Sequence, residues 1–398
     1  MWEIRDKVAV AGVGYSQIGR RLSRTLAALT VEACDRALSD AGLGRSVVDG
    51  IATSPSMPRY GGEKGTTAGI DVVHPAHLAE LLRVQDQVLW SGSTNAMVTQ
   101  SLIDAALAIH SGACSHVLVY RALHVPAGRY VNFDSPYAAG DEQFRAPFGY
   151  SGPPAWAAIV MRRYLDLHGY DRADLARYIV DNRDNARRNP NAYWRGERLS
   201  AGDYIEARMV ADPVSILDCD LPVDGAVALL LTSTERARHL RRPPALLSGF
   251  AASTHVGDSG ASLNLEDLLA GAAHTGERLW RSAGLGPASI DTAQLYDGFS
   301  IFVFTWLEGL GLVGPGEAVA FAMEGHGNLG GRLPLNTGGG ALGEGRLHGM
   351  THLAEAVMQV TDRAGERQVP GAAHSLVTVS NGLANSTAFV FSRDSGRG

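Results

Sequence analysis

The chain has 398 residues, a net charge of −6 and 45% hydrophobic residues. This length exceeds one ordinary core and suits two domains of about 150–200 residues each. The acidic balance argues against a surface that binds nucleic acid or anionic membranes. Cys34, Cys114 and Cys219 form no CxxC pair, which argues against a disulfide framework or a thiolate zinc site. Without a signal-like start or an apolar run of about 18 residues, we expect a cytoplasmic protein without a membrane span.

Strands and helices alternate through the first part of the chain. An apolar strand at Val8–Gly12 precedes a helix at Leu29–Asp40 and the turn AGLGRSVVD at residues 41–49. Residues 98–110 have helical apolar spacing and lead into a β-branched strand at His116–Tyr120. This alternation predicts an α/β protein with mostly buried strands.

Residues 121–215 interrupt the alternation and are rich in Pro, Tyr, Arg and Asn. Helices are predicted within this segment at Ala155–His168 and near Ala173–Arg188. We interpret the segment as a cap or partner-contacting insertion within an N-terminal half that spans residues 1–240. A buried strand returns at Asp224–Thr232.

The C-terminal half, residues 241–398, repeats the order of the first. A strand at Leu246–Gly249 is followed by a helix at Leu268–Ser282 and the turn AGLGPASID at residues 283–291. The shared pattern A-G-L-G-x-x-x-x-D predicts a duplicated domain folded against its copy. The predicted elements that close this half are a helix at Gly349–Thr361 and strands at Ser375–Val379 and Thr387–Ser392.

Small residues at Ser91, Gly92 and Ser93 stand before the helix of the first half. We interpret them as a turn in which backbone amides and the helix dipole converge, a suitable place for a nucleophile or an oxyanion. An ordinary helix N-cap is the alternative. The absence of a G-x-S-x-G elbow disfavours a hydrolase nucleophile.

Tyr296 and Asp297 follow a short strand at Thr292–Leu295 and form a candidate acid/base pair. The alternative is a packed tyrosine beside a helix-capping aspartate. After another short strand, Ser380, Asn381 and Gly382 line a site or form a hairpin turn.

The stretch NTGGGALGEGRLHG at residues 336–349 is the most distinctive in the chain. Adjacent glycines, among them Gly339 and Gly340, allow backbone amides to approach a ligand, and Arg346 and His348 add charge. His348, His352 and Glu355 have helical spacing that also permits a metal site. The glycine after His348 places that residue before the helix, so we favour a catalytic loop without metal.

The motifs together resemble the thiolase superfamily, in particular its sterol carrier protein x and lipid-transfer branch. The resemblance spans nearly the whole chain and implies a homodimer with the duplicated, five-layered αβαβα thiolase fold, acting on acyl-CoA. Besides the two AGLG turns, the motifs that carry it are NARRNPNA at 185–192, LDCDLPVDGA at 217–226, LYDGFS at 295–300, residues 336–349 and LVTVSNG at 376–382.

Departures from the thiolase pattern decide the expected chemistry. The turn that holds the nucleophilic cysteine of thiolases matches Ser91–Ser93, and Ser380 stands at the second cysteine position. The thiolase G-H-P histidine matches Arg346. Because thiolysis needs an activated thiolate, its absence at both positions makes thiolysis improbable.

The same losses are typical of the lipid-transfer-protein-like aldolases that degrade steroid side chains. The resemblance implies retro-aldol cleavage of a 3-hydroxyacyl-CoA to a ketone or aldehyde and a shorter acyl-CoA. Tyr296 then transfers the proton, oriented by Asp297, with Arg346 as the nearby positive charge and His348 as the alternative base. Amides at Gly339–Gly340 and near Ser91–Ser93 are candidates for the oxyanion hole.

The resemblance also implies a small OB-fold, acyl-CoA-binding partner protein that often carries zinc. We expect coenzyme A thioester as substrate and no permanently bound cofactor, since Gly12–Gly19 lacks the spacing of a dinucleotide fingerprint. A thiolase-like acyltransferase, a non-catalytic acyl-CoA or lipid carrier, and a scaffold for a partner remain as alternatives.

Overall fold

The computed structural model describes residues 2–54, 73–94, 98–125, 143–150, 152–255 and 264–396. These ranges form an α/β structure around a nine-stranded sheet, with a separate two-stranded hairpin. The strands are β1 Val8–Tyr15, β2 Gly50–Thr53, β3 Trp90–Ser93, β4 His116–Leu123, β5 Met209–Ala211, β6 Val214–Ser215, β7 Gly225–Ser233, β8 Ala245–Ala252, β9 Thr292–Gln294, β10 His374–Val379 and β11 Thr387–Arg393. The helices are α1 Leu26–Ala41, α2 Pro75–Leu82, α3 Val98–His110, α4 Gly152–His168, α5 Ala176–Arg188, α6 Ala201–Ile205, α7 Thr234–Ala237, α8 Leu265–Ala283, α9 Ser300–Gly309, α10 Ala318–Met323, α11 Gly340–Gly343 and α12 Met350–Val360.

The order of the strands repeats in mirror image across the large sheet. It runs β3-β2-β4-β7-β1 and continues β8-β11-β10-β9. In the first half β2 pairs parallel with β4, and the next pairs are antiparallel. In the second half β9 pairs parallel with β10, and the next pairs are again antiparallel. The halves meet at β1 and β8 through the pairs Ala9–Leu246 and Val10–Ala245.

Three hydrophobic clusters show how the layers stack. One lies between α1, α2 and the outer face of the first half of the sheet. A central cluster packs α3 and α12 between the strands of both halves. The third lies under α8 and α9 on the far side of the second half. This is the predicted αβαβα order, with α12 almost wholly buried and α3 buried along most of its surface.

The two AGLG turns end corresponding helices in the same way. Gly42 and Gly284 both have positive φ, at 77° and 67°, and cap α1 and α8. A residue with a Cβ is strained in this conformation, which explains the glycine in each copy. Each turn leads through a short 3₁₀ segment into a strand, β2 or β9.

The aspartate that ends each repeat joins its turn to a distant strand. Asp49 accepts hydrogen bonds from the backbone N–H of Ser115 and His116, at the start of β4. Asp291 accepts from the N–H of Ala373 and His374, at the start of β10, both at 2.8 Å. The spacing that the two copies share therefore sets the register of the parallel pair in each half.

The predicted turn at Ser91–Ser93 is wrong. These residues belong to β3, which pairs parallel with β2 and forms one end of the sheet. Small side chains fit there because Gly92 packs against the Trp90 ring. Residues 95–97, between these residues and α3, lie outside the described residues.

The predicted elements otherwise lie where helices and strands are found, with shifted ends. Within the segment 121–215, β4 extends to Leu123, α4 begins at Gly152, and a 3₁₀ turn precedes α5. No helix in the described ranges has both the length and the apolar character needed to cross a membrane.

We expect Asp49→Ala and Asp291→Ala each to lower the free energy of unfolding by about 2–4 kcal/mol, since each leaves two amides without a charged acceptor. Denaturant unfolding measures this, with the exposed Glu366→Ala as a control that changes stability little. Equal stability of Asp49→Ala and the control would contradict the proposed role of the repeat.

Candidate active site

The site residues of the second half meet at the carboxyl ends of β9 and β10. Because these strands are parallel, the residues that follow them emerge at one edge of the sheet. The backbone N–H of Tyr296 donates to Oγ1 of Thr378 at 3.0 Å. Gly349 packs against Val379 so closely that a Cβ there would lie 2.4 Å from a valine methyl. Tyr296, the loop with His348 and the turn at Ser380 are therefore neighbours.

Tyr296 lies in a buried position between charged groups. Its side chain is 7% exposed and packs in the central cluster. Burial, together with the carboxylate of Asp220, raises the pKa of the phenol, while Arg346 opposes this shift. Among the described residues none hydrogen-bonds to the phenol hydroxyl. The hydroxyl is thus protonated near neutral pH and available to a ligand.

Arg346 and Asp220 form the charged side of the site. Nε of Arg346 lies 3.8 Å from Oδ2 of Asp220, and both side chains are partly buried. The backbone N–H of Asp220 donates to the carbonyl of Gly298, two residues beyond Tyr296. The motif at residues 217–226 therefore brings a carboxylate to the site that the sequence analysis did not assign.

Within the described residues the carboxylate of Asp297 makes no hydrogen bond to the Tyr296 phenol, contrary to the predicted acid/base pair. Its carboxylate is fully buried and accepts hydrogen bonds from the N–H of Ala341 at 2.6 Å and of Leu342 at 3.3 Å. Nδ2 of Asn182 and Nε2 of His352 also donate to it, at 3.1 and 2.9 Å. The carboxylate oxygens of Asp297 thus face the loop at residues 336–349 and the start of α12. These hydrogen bonds hold α11 and α12 in place.

Gly339 and Gly340 allow close packing around the loop, and one of the two amides predicted for an oxyanion hole already has a backbone partner. The N–H of Gly339 already donates to the carbonyl of Asn336 at 2.8 Å. A Cβ on Gly340 would lie 2.2 Å from the Asp297 carboxylate, and one on Gly339 would lie 2.5 Å from Ala186. Both glycines also have positive φ. Only glycine allows α5 and Asp297 to approach this loop.

His348 is held by an arginine from the other half of the chain. Nε of Arg121, on β4, donates to Nδ1 of His348 at 3.2 Å. Burial and the charges of Arg346 and Arg121 lower the pKa of His348 well below its usual range. The imidazole is therefore neutral near neutral pH.

The turn at Ser380–Gly382 lies beside the site and is stabilised by packing. Ser380 and Gly382 have positive φ, and the carbonyl of Ser380 accepts from Nε1 of Trp306. Oδ1 of Asn381 accepts a hydrogen bond from the backbone N–H of Leu383, and the N–H of Gly382 donates to Oγ of Ser386. These contacts fix the turn after β10.

Ser91, Gly92 and Ser93 take a different place from that predicted. Because they form the edge strand β3, Ser91 and Ser93 are exposed. The structure does not assign their amides to a turn at the N-terminus of α3. The first described turn of α3 instead approaches β11, where Oγ1 of Thr387 donates to Oγ1 of Thr99.

The residues considered for a metal have other partners. His348 accepts from Arg121, His352 pairs with Asp297, and Glu355 pairs with Arg367 at 2.8 Å. Across the described ranges, no group of three or more His, Cys, Asp or Glu side chains is arranged to hold a metal ion.

Two buried carboxyl groups, those of Glu344 and Glu355, stabilise the loop at residues 336–349. Glu355 accepts from Thr337, Gln359 and Arg367. Glu344 lies beside it, and Oε1 of Glu344 has no hydrogen-bond partner in the part of the chain that the structure describes. Burial and the Glu355 charge raise the pKa of Glu344 to about 8. Glu344 is thus a neutral acid near neutral pH.

Three residues that shape this site, Arg121, Asn182 and Asp220, were not predicted from the sequence, and His352 was considered only as part of a metal site. Arg121 is far in the chain from the motifs of the second half, and Asn182 lies just before the motif at 185–192. Only the fold brings both residues close to Asp297 and His348. Asp220 is one of three aspartates in the motif at residues 217–226, and the sequence does not indicate which of them lies at the site. A buried arginine inside an apolar strand was the one available signal for Arg121.

We expect Glu344→Gln to flatten the dependence of stability on pH. The folded protein keeps the Glu344 proton that the unfolded chain releases, so stability falls as pH rises from about 4.5 to about 8. The slope from this group is at most about 1.4 kcal/mol per pH unit. Denaturant unfolding across this range should show a smaller slope for Glu344→Gln than for wild type. The same slope in wild type and in Glu344→Gln would contradict a protonated Glu344 in the folded protein. Glu366→Gln serves as the control.

Comparisons with known proteins agree with this architecture. A family model described as thiolase C-terminal domain-like matches residues 256–393. The chain is 34% identical to a 17-hydroxy-3-oxo-4-pregnene-20-carboxyl-CoA lyase from Mycobacterium tuberculosis, over 96% of this chain and 98% of that protein. It is 33% identical to a steroid side-chain-cleaving aldolase from Thermomonospora curvata, over 95% and 96% of the two chains.

Solved structures give the same picture. A chain of an Ltp2-ChsH2(DUF35) aldolase superposes with a TM-score of 0.85 at 30% identity, over 98% of this chain and 99% of that chain. Human mitochondrial 3-ketoacyl-CoA thiolase superposes with a TM-score of 0.70 at 14% identity, over 98% and 100%, which concerns the fold alone. The chain therefore belongs to the thiolase superfamily, in the branch of the steroid side-chain-cleaving aldolases.

Proposed function

We propose that the protein cleaves a 3-hydroxyacyl-CoA by a retro-aldol reaction, giving a ketone or aldehyde and a shorter acyl-CoA. The observation that carries the proposal is the buried phenol of Tyr296 beside Arg346 and Asp220, in a thiolase fold. The relatives from Mycobacterium tuberculosis and Thermomonospora curvata are 34% and 33% identical to this chain. They are named as a lyase and an aldolase of steroid substrates, which supports this reaction class. Their names also favour a bulky, steroid-like acyl group.

The cysteines of this chain do not suit the thiolase-like alternative. Cys34 and Cys114 are buried, and Cys219 is partly buried. Burial raises the pKa of Cys114 to about 11 and raises that of Cys34 and Cys219 further. Cys219 is near the site, but Asp220 and Asp218 add to this effect. A thiol with a raised pKa gives little of the thiolate that acyl transfer requires.

Retro-aldol cleavage moves one proton and one electron pair. A base takes the proton of the β-hydroxyl, the Cα–Cβ bond breaks, and its electron pair forms the thioester enolate. The β-carbon leaves as the carbonyl group of the ketone or aldehyde. An acid then protonates Cα and gives the shorter acyl-CoA, so that the reaction is balanced without an added oxidant or free CoA.

The raised pKa of Tyr296 suits the acid role better than the base role that the sequence predicted. A phenol that holds its proton near neutral pH can deliver it to the enolate carbon. We assign the base role to Asp220, the carboxylate beside Arg346. Arg346 carries a positive charge that limits the rise of the Tyr296 pKa and faces the negative charge of the enolate.

We expect Tyr296→Phe to lower kcat by about 10²–10⁴-fold, because the proton for Cα is lost while the ring still packs. Asp220→Asn should lower kcat to a similar extent through loss of the base. The assay is release of short acyl-CoA from a bulky 3-hydroxyacyl-CoA. Tyr170→Phe is the control, since its hydroxyl bonds to Gly316 away from the site. A Tyr296→Phe variant as active as this control would contradict the assignment.

We also propose a homodimer and a DUF35 partner of the OB-fold, acyl-CoA-binding kind. The strand β3 supports the first, because among the described residues no strand pairs with its outer edge, which can offer backbone groups to a second copy. Leu89 beside it is 75% exposed. The aldolase structure that names a DUF35 component supports the second. Zinc in such a partner stays a prediction.

Light scattering of the purified protein should give twice the mass of the 42.1 kDa chain. Leu89→Arg should shift the protein toward monomers, because charge at the edge opposes pairing of two copies. The matched control is Leu167→Arg, another exposed leucine on α4. A wild-type protein that is monomeric at all concentrations would contradict the homodimer.

A further inference from the structure

Arg121 links the two halves of the molecule at the site. It lies in β4 of the first half, and its side chain is buried, with 6% of the residue exposed. Nη1 donates to the carbonyl of Ser54, beyond the end of β2, at 2.7 Å. Nε donates to Nδ1 of His348, in the loop of the second half, at 3.2 Å. A buried arginine with its guanidinium fixed by a carbonyl has little freedom to turn away.

This contact determines which nitrogen of His348 carries the proton. A guanidinium has only donors, so Nδ1 of His348 accepts and holds no proton. In a neutral imidazole the proton is then on Nε2. The neighbouring charges of Arg121 and Arg346 oppose formation of an imidazolium. Within the described ranges nothing hydrogen-bonds to Nε2, so this N–H is available to a ligand.

We propose that His348 acts as a neutral hydrogen-bond donor to the thioester oxygen, and that Arg121 is the positioning residue that keeps the donor on Nε2. The inference rests on the proposed retro-aldol function. It removes His348 as the alternative base, since Nδ1 is occupied and Nε2 already carries the proton. It also supplies a donor beside the loop in which the N–H of Gly339 already donates to Asn336.

The donor acts at the step where the Cα–Cβ bond breaks. Negative charge then develops on the thioester oxygen as the enolate forms, and a fixed N–H stabilises it. His348 gives up no proton in this step, so the proton balance between Asp220 and Tyr296 is unchanged. Gly349 against Val379 places the His348 backbone beside the strand that binds Tyr296.

Two substitutions of His348 separate a donor from a base. Glutamine places an amide N–H near the position of Nε2, whereas asparagine reaches only the position of Nδ1. We expect His348→Gln to keep kcat within about tenfold of wild type and His348→Asn to lose about 10²–10³-fold, with little change in KM. Equal loss in both variants, or better activity in the asparagine variant, would overturn the donor role.

The tautomer is measured directly by two-bond ¹H–¹⁵N spectra of protein labelled with [¹⁵N]histidine. The signals that vanish in His348→Gln should show a protonated Nε2 and a bare Nδ1 near neutral pH. Arg121→Met should allow protonation of Nδ1 and lower kcat, and Arg121→Lys, which keeps a charged donor, should restore part of both. A wild-type His348 with its proton on Nδ1, or with both nitrogens protonated, would overturn the proposal.

Failure of the proposed retro-aldol function and failure of the inference about Arg121 and His348 can be told apart. A wild-type protein that releases no short acyl-CoA contradicts the proposed function and the oxyanion role with it, while the spectrum still decides the tautomer. Normal turnover with the wrong tautomer contradicts the Arg121 inference alone.

Discussion

The site depends on one buried carboxylate, that of Asp297. Four donors converge on it: two backbone amides of α11, the amide of Asn182 on α5 and the imidazole of His352 on α12. A buried carboxylate is tolerated only when its oxygens are satisfied, so these elements must assemble together. Asp297 comes directly after Tyr296, and its anchoring therefore fixes where the phenol lies relative to the loop that carries Arg346 and His348.

Duplication explains how the two halves can share one site. Equivalent strands end at equivalent edges, and the repeat aspartates Asp49 and Asp291 set the same register in each copy. The copies have since taken different tasks. The second half supplies Tyr296, Arg346 and His348, while the first half supplies Arg121 and Asp220.

Periodic features could be predicted from the sequence, and long-range ones could not. The helices α1 and α8, the AGLG turns and the buried strands follow from local apolar spacing and glycine conformation. Ser91–Ser93 was misassigned because small residues suit an edge strand as well as a turn. Asp297 was misassigned because the direction of its carboxylate depends on α5 and α12, which are distant in sequence. Gly340 looked like a ligand contact, but it leaves room for Asp297.

The measurement that tests carbon–carbon cleavage most directly is mass spectrometry of CoA products without free CoA. The purified protein is incubated with bulky and linear 3-hydroxyacyl-CoAs, with and without a DUF35 partner. We expect a shorter acyl-CoA together with an equal amount of ketone or aldehyde. Products that form only when free CoA and a 3-ketoacyl-CoA are supplied would mean thiolysis and would contradict the assignment of Tyr296 and Asp220.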